Sequence, residues 1–147
     1  MFEDRIKKLK QLLEKEKMDG LFISSAANIE YLTGYSNFST VEREAYILIG
    51  TNFQYIITDG RYAEAIKREV PHLALFERGH KKTTESLFKK HKKDIKRLGI
   101  EEDNLTVSEF KVVKKHFKNI KHFEIGELRS VKSDDEIKNI TKACQMG

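Results

Sequence analysis

The side chains that could carry out chemistry in this sequence are few, and their spacing matches no catalytic or metal-binding pattern. The five histidines form neither an HExxH motif nor a short His-x-His pair, and they are His72, His80, His91, His116 and His122. The lone cysteine, Cys144, gives no CxxC pair, and there is neither a GxSxG elbow nor a phosphate loop. Because isolated histidines usually serve packing or the surface, the sequence predicts no self-contained active site and no metal site.

Carboxylates could form a ribonuclease-like cluster if Asp19, Asp59 and Glu101 met at strand ends. Asp19, however, falls at the end of a predicted helix, and Asp59 is placed to cap the helix in "DGRYAEAIKREV". In the same stretch we expect Arg61 to pair with a nearby carboxylate or carbonyl and Tyr62 to pack inward. Asp59, Arg61 and Tyr62 are therefore predicted to form a structural motif.

The segment best suited to binding is the loop "YSNFSTVERE", residues 35–44. It is polar, it contains aromatic side chains that we expect to be exposed, and it joins two buried segments. Just before it, "NIEYLTGY" is expected to place Tyr31 and Leu32 in the core. A single helical turn there, capped by Asn28, is expected to end at Gly34 with a positive φ. Because loops between buried segments often carry binding residues, this loop is the candidate binding element.

The elements that must position this loop alternate between helices and strands. Apolar residues recur at helical spacing in "FEDRIKKLKQLLEKEK", "YAEAIKREV" and "TVSEFKVVKKHF", the last opened by a capping box of Thr106 and Glu109. The first helix is expected to stop at Gly20 in a left-handed conformation. "LFIS", "LALF", "GIEE" and "NIKHFEI" are typical of strands, and "AYILIG" with "FQYIIT" of a hairpin. The pattern predicts a three-layer α/β domain with a mixed β-sheet flanked by helices.

The net charge of +5 and the pI of about 9.2 come mostly from "HKKTTESLFKKHKKDIKRLG". Read as one helix, this stretch has lysines around an apolar side formed by Leu87, Phe88, His91, Ile95 and Leu98. Such a pattern is typical of a solvated lysine face. Since neither zinc-finger spacing nor an aromatic RNA platform accompanies the lysines, we expect no nucleic-acid partner.

Length and composition set the broad class of protein. A chain of 147 residues fits one domain, and 39% hydrophobic with 35% charged residues is typical of a globular protein. The apolar runs are too short to cross a membrane, and "MFEDRIKKLK" lacks the apolar core of a signal peptide. A single cysteine fits a reducing compartment. We therefore expect a cytoplasmic protein with no membrane partner.

The C-terminal stretch "SVKSDDEIKNITKACQMG" predicts one more helix. Ser133 and Glu136 form a capping box at its start. Ile137, Ile140 and Cys144 then recur at helical spacing and form one apolar stripe. We expect this stripe to be buried against another domain.

Three stretches of the chain, taken in order, resemble a known family. The stretches are "DGLFISSAANIEYLTGYS", "YIITDGRYAEAI" and "LRSVKSDDEIKNITKA". They resemble the N-terminal domain of the Xaa-Pro dipeptidases and Xaa-Pro aminopeptidases, relatives of creatinase. The resemblance implies the creatinase/prolidase N-terminal fold, with its ribonuclease H-like motif, for residues 1–130. It implies that residues 131–147 are the linker and first helix of a larger pita-bread metallopeptidase domain.

In that family the larger domain binds two divalent metal ions through Asp, Asp, His, Glu and Glu ligands. The resemblance therefore implies no cofactor in this chain and two ions, Mn, Co or Zn, in its parent. The implied partners are its own catalytic domain, a second subunit in a homodimer, and short proline-containing peptides. The implied function is a non-catalytic domain that contributes dimer contacts and closes the substrate pocket of the partner subunit.

The resemblance also places the loop at residues 35–44 at the active site of the other subunit. By position, it implies substrate contacts for Tyr35, Asn37, Phe38 and Arg43. Arg43 could hold a substrate carboxylate through two hydrogen bonds, or it could pair at the surface with Glu42 or Glu44. The sequence leaves both roles open.

Two other functions also stay open. The same fold could belong to a protein without catalysis that binds peptides or proteins, or the chain could be a basic nucleic-acid-binding module. If the parent has the five metal ligands, the protein without catalysis is excluded. Salt-dependent binding to nucleic acid would indicate the nucleic-acid-binding module.

Overall fold

Strands and helices alternate along residues 1–130, which are the residues that this structure, a computed structural model, describes. The strands are β1 (Gly20–Ile23), β2 (Ala45–Gly50), β3 (Gln54–Asp59), β4 (Ala74–Arg78), β5 (Arg97–Ile100) and β6 (Asn119–His122). The helices are α1 (Phe2–Lys15), α2 (Ala26–Thr33), α3 (Ala63–Glu69), α4 (Thr84–His91), α5 (Val107–His116) and α6 (Gly126–Ser130). The predicted alternation is confirmed.

The strands form one mixed sheet in the order β4-β3-β2-β1-β5-β6. β2 runs antiparallel to both of its neighbours, β1 and β3, whereas the remaining neighbours pair in parallel. The predicted β2–β3 hairpin therefore lies inside the sheet, as expected from its continuous apolar residues. Because every strand except β2 points the same way, five strands end at one edge of the sheet, where β2 begins. We call this the carboxyl edge.

Helices cover both faces of the sheet and give the three layers that the sequence predicts. On one face, α1, α2 and α3 pack on strand side chains such as Leu21 and Ile23. On the other, α4 and α5 pack on side chains such as Phe22 and Leu48. Leu21 and Phe22 point to opposite layers because successive strand residues alternate.

The ends of the first two helices differ from the prediction. Gly20 is already part of β1, and the left-handed residue after α1 is Lys17, with φ 59°. Gly20 is needed instead for space, because a Cβ there would lie 3.0 Å from Ile95 Cδ1. α2 is capped by Ser25, whose hydroxyl accepts from the Asn28 N–H, so Asn28 is not the cap. The predicted stop at Gly34 is confirmed, with φ 78°.

The lysine-rich stretch is not one helix. α4 ends at His91, and Leu98 belongs to β5, where it pairs with Gly20 of β1. The apolar residues near the end of the stretch fit a strand as well as a helix, and the parallel pairing with β1 decides for the strand.

The C-terminal elements lie only partly within the described residues. The turn predicted at "GEL" is the short helix α6. The helix predicted from Ser133 onward lies outside the described residues. Within residues 1–130, no helix is long and apolar enough to cross a membrane.

Candidate binding loop at the carboxyl edge

The loop between α2 and β2, residues 34–44, lies at the carboxyl edge, and its aromatic side chains point inward. Tyr35 and Phe38 are both buried, contrary to the exposure expected from the sequence. Their ring centroids lie 4.8 Å apart in an edge-on arrangement, and the Phe38 centroid lies 4.9 Å from that of Tyr62. Such contacts suit the charge distribution of aromatic rings. The three rings form an apolar base beneath the loop, and the predicted packing of Tyr62 is confirmed.

Arg43 does not pair with Glu42 or Glu44, which was one of the two roles that the sequence left open. Its Nε and Nη2 atoms lie 2.9 Å and 3.0 Å from the two carboxylate oxygens of Glu109. Its Nη1 also donates to the Ser24 carbonyl and to Asn104 Oδ1, and Nη2 donates to the Asn104 carbonyl. Because a guanidinium has five N–H donors, these contacts use all of them. Arg43 therefore ties the loop to the segments that follow β1 and β5.

Glu109 is the centre of this network. Its carboxylate completes the predicted capping box with Thr106, pairs with Arg43, and accepts the Tyr46 hydroxyl hydrogen bond. Partial burial raises the pKa of the Glu109 carboxyl, but the hydrogen bonds from Arg43 and Tyr46 outweigh it, so the pKa lies below its ordinary value. Burial, followed by the hydrogen bond to Glu109, raises the pKa of the Tyr46 hydroxyl. Glu109 is therefore charged at neutral pH.

Glu44 fastens the loop from the other side. It is only 7% exposed, and its carboxylate accepts hydrogen bonds from the Tyr62 hydroxyl and the Ser39 N–H. These two bonds, the one from Tyr62 being the stronger cause, lower the pKa of the Glu44 carboxyl. Arg61 adds positive charge 3.8 Å away. A buried carboxylate with these partners is held in its charged form.

The "TDGRY" motif departs from its predicted role in one respect. Asp59 does not cap α3, because Tyr62 occupies the cap position without a side-chain hydrogen bond. Asp59 instead accepts from the Arg61 N–H and guanidinium at 2.9–3.0 Å, so the expected pairing of Arg61 is confirmed. The hydrogen bond from Arg61 lowers the pKa of the Asp59 carboxyl. The residue order D-G-R places the two charges side by side before the helix begins.

The tip of the loop is exposed but ordered. The Ser39 hydroxyl accepts from the N–H groups of Val41 and Glu42 at 3.0 Å, a turn typical of serine. Val41 is 93% exposed, and Asn37 is also exposed. Beside the tip lies a cavity of about 560 Å³ between the loop, the end of β1 and the start of α5. The tip thus presents an apolar side chain that folding does not bury.

Three residues have roles here that their sequence pattern did not indicate, and they are Val41, Glu44 and Glu101. The Glu101 carboxylate is buried at the end of β5, where it accepts from the N–H groups of Ser24 and Ser25 at 2.7 Å and 2.9 Å. Glu101 thereby joins the ends of the parallel strands β1 and β5. Glu109 was marked in advance only as part of a capping box, and the sequence pattern did not indicate its contacts with Arg43 and Tyr46.

The carboxylates do not form the ribonuclease-like cluster considered from the sequence. Asp19 precedes β1 and therefore lies at the edge opposite Asp59 and Glu101. Its carboxylate accepts from the N–H groups of Lys96 and Arg97. A cavity of about 870 Å³ also lies at that opposite edge, beside α1, and Asp19 is among its lining residues, whereas no residue of the predicted binding loop lines it.

Asp103, His122 and Glu124 bring potential metal ligands within 4.8 Å of one another at the surface. The hydrogen bonding of His122 does not suit a metal. Its Nδ1 accepts from the Glu102 N–H at 3.2 Å, so the ring hydrogen lies on Nε2, which faces Glu124 at 3.5 Å. A metal-bound histidine instead donates from its second nitrogen. A metal on Nε2 would therefore require the Glu102 contact to break.

Comparison with known proteins identifies the family of this fold. The family model described as the creatinase/prolidase N-terminal domain matches residues 5–131. The chain belongs to this family, as the three sequence stretches predict.

Individual relatives carry peptidase names. The chain is 32% identical over 147 residues to an uncharacterized peptidase of Staphylococcus epidermidis, covering 97% of this chain and 41% of that protein. It is 30% identical to the Xaa-Pro dipeptidase of Pyrococcus horikoshii, covering 99% and 40%. The structure of an Xaa-Pro dipeptidase from Bacillus anthracis matches its fold with a TM-score of 0.76 at 22% identity, covering 94% of this chain and 38% of that one. The chain therefore spans about 40% of the length of these curated relatives.

Proposed function

We propose that this chain is the non-catalytic N-terminal domain of a dimetal Xaa-Pro dipeptidase or aminopeptidase. In the parent it contributes to a homodimer and closes the substrate pocket of the partner subunit. Membership of the family, and the peptidase names of relatives that are much longer than this chain, support the proposal. A cytoplasmic location remains part of the proposal.

The loop at residues 34–44 is the observation that carries this function. It lies at the carboxyl edge, where α/β sheets commonly bind ligands. Its base is buried and hydrogen-bonded on both sides, whereas its tip is polar apart from the exposed Val41. A loop that served only to connect α2 with β2 would not need this much internal support. A supported loop with an exposed tip is suited to contact another molecule.

The four residues predicted to bind substrate receive different roles in this proposal. Asn37 and the neighbouring tip residue Val41 contact a short proline-containing peptide in the partner's pocket. Tyr35 and Phe38 act from behind, as the apolar base of the loop. Arg43 braces the loop and does not hold a substrate carboxylate, because all five of its donors have partners in the chain.

The catalytic chemistry belongs to the domain that the longer relatives contain and is proposed for the parent by the family resemblance. Two divalent ions, Mn, Co or Zn, would supply a metal-bound nucleophile and polarise the scissile carbonyl. None of the residues described here is proposed as a ligand of those ions.

Subunit complementation in the full-length protein tests whether the loop acts on the partner. One subunit carries Asn37→Ala with Val41→Ala, and the other lacks a metal ligand of its catalytic domain. Each homodimer should show low kcat/KM for Xaa-Pro dipeptides. Mixed dimers should regain activity, because the intact active site then receives a wild-type loop from its partner.

Three results would contradict the proposal. If mixed dimers regain nothing although mixed assembly is verified by mass, the loop does not act in trans. If the double loop variant retains full kcat/KM, the tip does not contact substrate. If the full-length parent lacks the metal ligands and binds peptides without cleaving them, the non-enzymatic alternative is correct.

A further inference from the structure

We infer that Glu44 is a positioning residue that holds the loop in one preformed conformation, so that the loop acts as a fixed wall and not as a moving lid. The inference rests on the proposed function of the loop and adds how the loop is kept in place. It concerns a residue that neither the sequence pattern nor the family resemblance singled out.

Glu44 is fastened to the sheet through its backbone. It is the residue immediately before β2, and its carbonyl accepts from the Thr58 hydroxyl at 2.9 Å and from Arg78 at 3.3 Å. Thr58 belongs to β3, an internal strand of the sheet, and Arg78 belongs to β4, an edge strand. The backbone of Glu44 is therefore as fixed as the sheet itself.

The side chain of Glu44 transmits this position to the loop tip. Its Oε1 accepts from the Ser39 N–H, and the Ser39 hydroxyl accepts in turn from the N–H groups of Val41 and Glu42. Two consecutive steps thus lead from Glu44, next to β2, to the exposed tip. If the first step is lost, the turn at Ser39 loses its attachment to the domain, and its local hydrogen bonds to Val41 and Glu42 should open more often.

The same carboxylate also joins the loop to its aromatic base. Glu44 Oε2 accepts from the Tyr62 hydroxyl, while the Tyr62 ring packs against Phe38 of the loop. Arg61 lies 3.8 Å away and offsets the buried negative charge. Both oxygens of Glu44 are therefore used, one for the loop backbone and one for the base.

An apolar residue at position 44 would keep the backbone hydrogen bonds to the sheet but would lose the side-chain hydrogen bonds to the loop and to Tyr62. The side chain is buried, and burial of a carboxylate is unfavourable unless its oxygens are hydrogen-bonded. Without the carboxylate, the Ser39 N–H and the Tyr62 hydroxyl would lose their acceptor in a partly closed site. The charge at position 44 thus serves the conformation of the loop.

Amide hydrogen exchange measured by NMR on this chain tests the inference directly. In the wild type, the amides of Ser39, Val41 and Glu42 should be protected. Glu44→Ala should speed their exchange by about tenfold or more, whereas the amides of β2 and β3 should stay protected. Glu44→Gln keeps one acceptor oxygen and should retain much of the protection at Ser39. Glu42→Ala, an exposed neighbour, is the matched control and should change nothing outside its own amide.

A second variant guards against a general loss of folding. If Glu44→Ala also speeds exchange in β2 and β3, the milder variant Tyr62→Phe replaces it. Tyr62→Phe removes only one hydroxyl and should still speed exchange at Ser39, by a smaller factor. Exchange of the wild-type loop at the rate of an unstructured peptide would overturn the inference. Unchanged loop exchange in both Glu44→Ala and Tyr62→Phe would overturn it as well.

Kinetics of the full-length protein separate this inference from the proposed function. If the loop is a positioned wall, Glu44→Ala should raise KM for Xaa-Pro dipeptides by about tenfold with kcat nearly unchanged, and Glu44→Gln should restore most of the loss. Faster loop exchange with unaltered KM would support the positioning role of Glu44 and overturn the role of the loop in the pocket. An altered KM with unaltered loop exchange would overturn the positioning role of Glu44.

Discussion

Arg43 and Glu109 lie 66 residues apart in the chain and meet in a two-point ion pair, with both N–O distances at 2.9–3.0 Å. Their side chains are 26% and 16% exposed, so the pair is only partly shielded from water. Arg43→Ala should lower the free energy of unfolding by about 2 kcal/mol, because it removes two of the hydrogen bonds to the partly buried Glu109 carboxylate and the donors of two backbone carbonyls. Urea denaturation measures the loss.

Arg61→Ala is the matched control for this prediction. Arg61 also pairs with a carboxylate, Asp59, but it is 66% exposed, and surface ion pairs contribute little. Arg61→Ala should therefore lower the free energy of unfolding clearly less than Arg43→Ala does. Equal losses in the two variants would mean that the network around Arg43 contributes no more than a surface pair.

Loss of Arg43 should reduce activity equally on substrates with and without a free carboxylate. In the full-length protein, Arg43→Ala should lower kcat/KM by a similar factor for Xaa-Pro dipeptides and for their amides, because Arg43 acts by bracing the loop. Steady-state kinetics on the two substrate types provide the measurement. A loss of about tenfold or more that is confined to the free acids would instead show that Arg43 binds the carboxylate.

The stability of the domain should fall in acid as Glu44 and Glu109 become protonated. The pKa of each carboxyl is lower in the folded chain than its ordinary value of 4.5, so the unfolded chain binds protons first as the pH falls. The stabilisation is complete above about pH 5 and is lost as the pH drops through the folded pKa values. Urea midpoints measured from about pH 7 to about pH 3 should show this decline.

Glu109→Gln should reduce this acid dependence while lowering stability at neutral pH, since one of the carboxyls with a lowered pKa no longer titrates. Glu42→Gln alters an exposed glutamate at the loop tip and serves as the control. An acid dependence in Glu109→Gln as steep as in the wild type would show that Glu109 does not contribute to it.

Gly34→Ala should destabilise the domain by about 1–2 kcal/mol, because Gly34 has φ +78° and a side chain in that conformation is strained. An added Cβ would also lie 2.5 Å from the ring of Phe2, which would have to move. Gly79→Ala is the control, since no atom lies within 4 Å of an added Cβ there. Denaturant midpoints that shift equally in both variants would contradict the prediction.

The chain by itself should neither bind divalent metals specifically nor cleave peptides. The surface cluster around His122 presents Nδ1 as a hydrogen-bond acceptor, which does not suit a metal-bound histidine. Calorimetric titration of the wild-type chain with Mn²⁺, Co²⁺ or Zn²⁺ should show no saturable binding at the His122 cluster. Any weak heat signal should therefore be the same in His122→Ala. Metal-dependent turnover of Xaa-Pro dipeptides that follows this chain through purification would contradict both the prediction and the proposed function.

The parts of the fold that the sequence predicts are those that local periodicity determines. The buried residues of α1, the hairpin of β2 and β3, and the capping box at Thr106 each depend on residues close together in the chain. The helix caps at Asn28 and Asp59 were wrong by a few residues, whereas two other errors arise where distant residues decide the outcome. Leu98 fits either a helix or a strand until β1 pairs with it, and Gly20 is selected by its contact with Ile95.

The candidate site was predictable as a segment but not as a set of contacts. The polar loop between two buried segments was located correctly, yet its aromatic residues were expected at the surface. For Arg43 the sequence left open a substrate carboxylate or a neighbouring glutamate and did not indicate Glu109. Arg43 pairs with Glu109 and Glu44 with Tyr62 because the carboxyl edge brings β1, β3 and α5 together. Such pairings follow from topology, which spacing along the chain does not encode.

The central position of β1 has a consequence for how the chain folds during synthesis. β1 pairs in parallel with β5, whose residue Leu98 follows its partner Gly20 by about 80 residues. Such long-range pairing slows folding, and β1 has an unpaired apolar edge until β5 has left the ribosome. Arg43 is likewise synthesised long before its partner Glu109. The loop therefore emerges long before α5, and conditions that stall synthesis before α5 leave it without its attachment to Glu109.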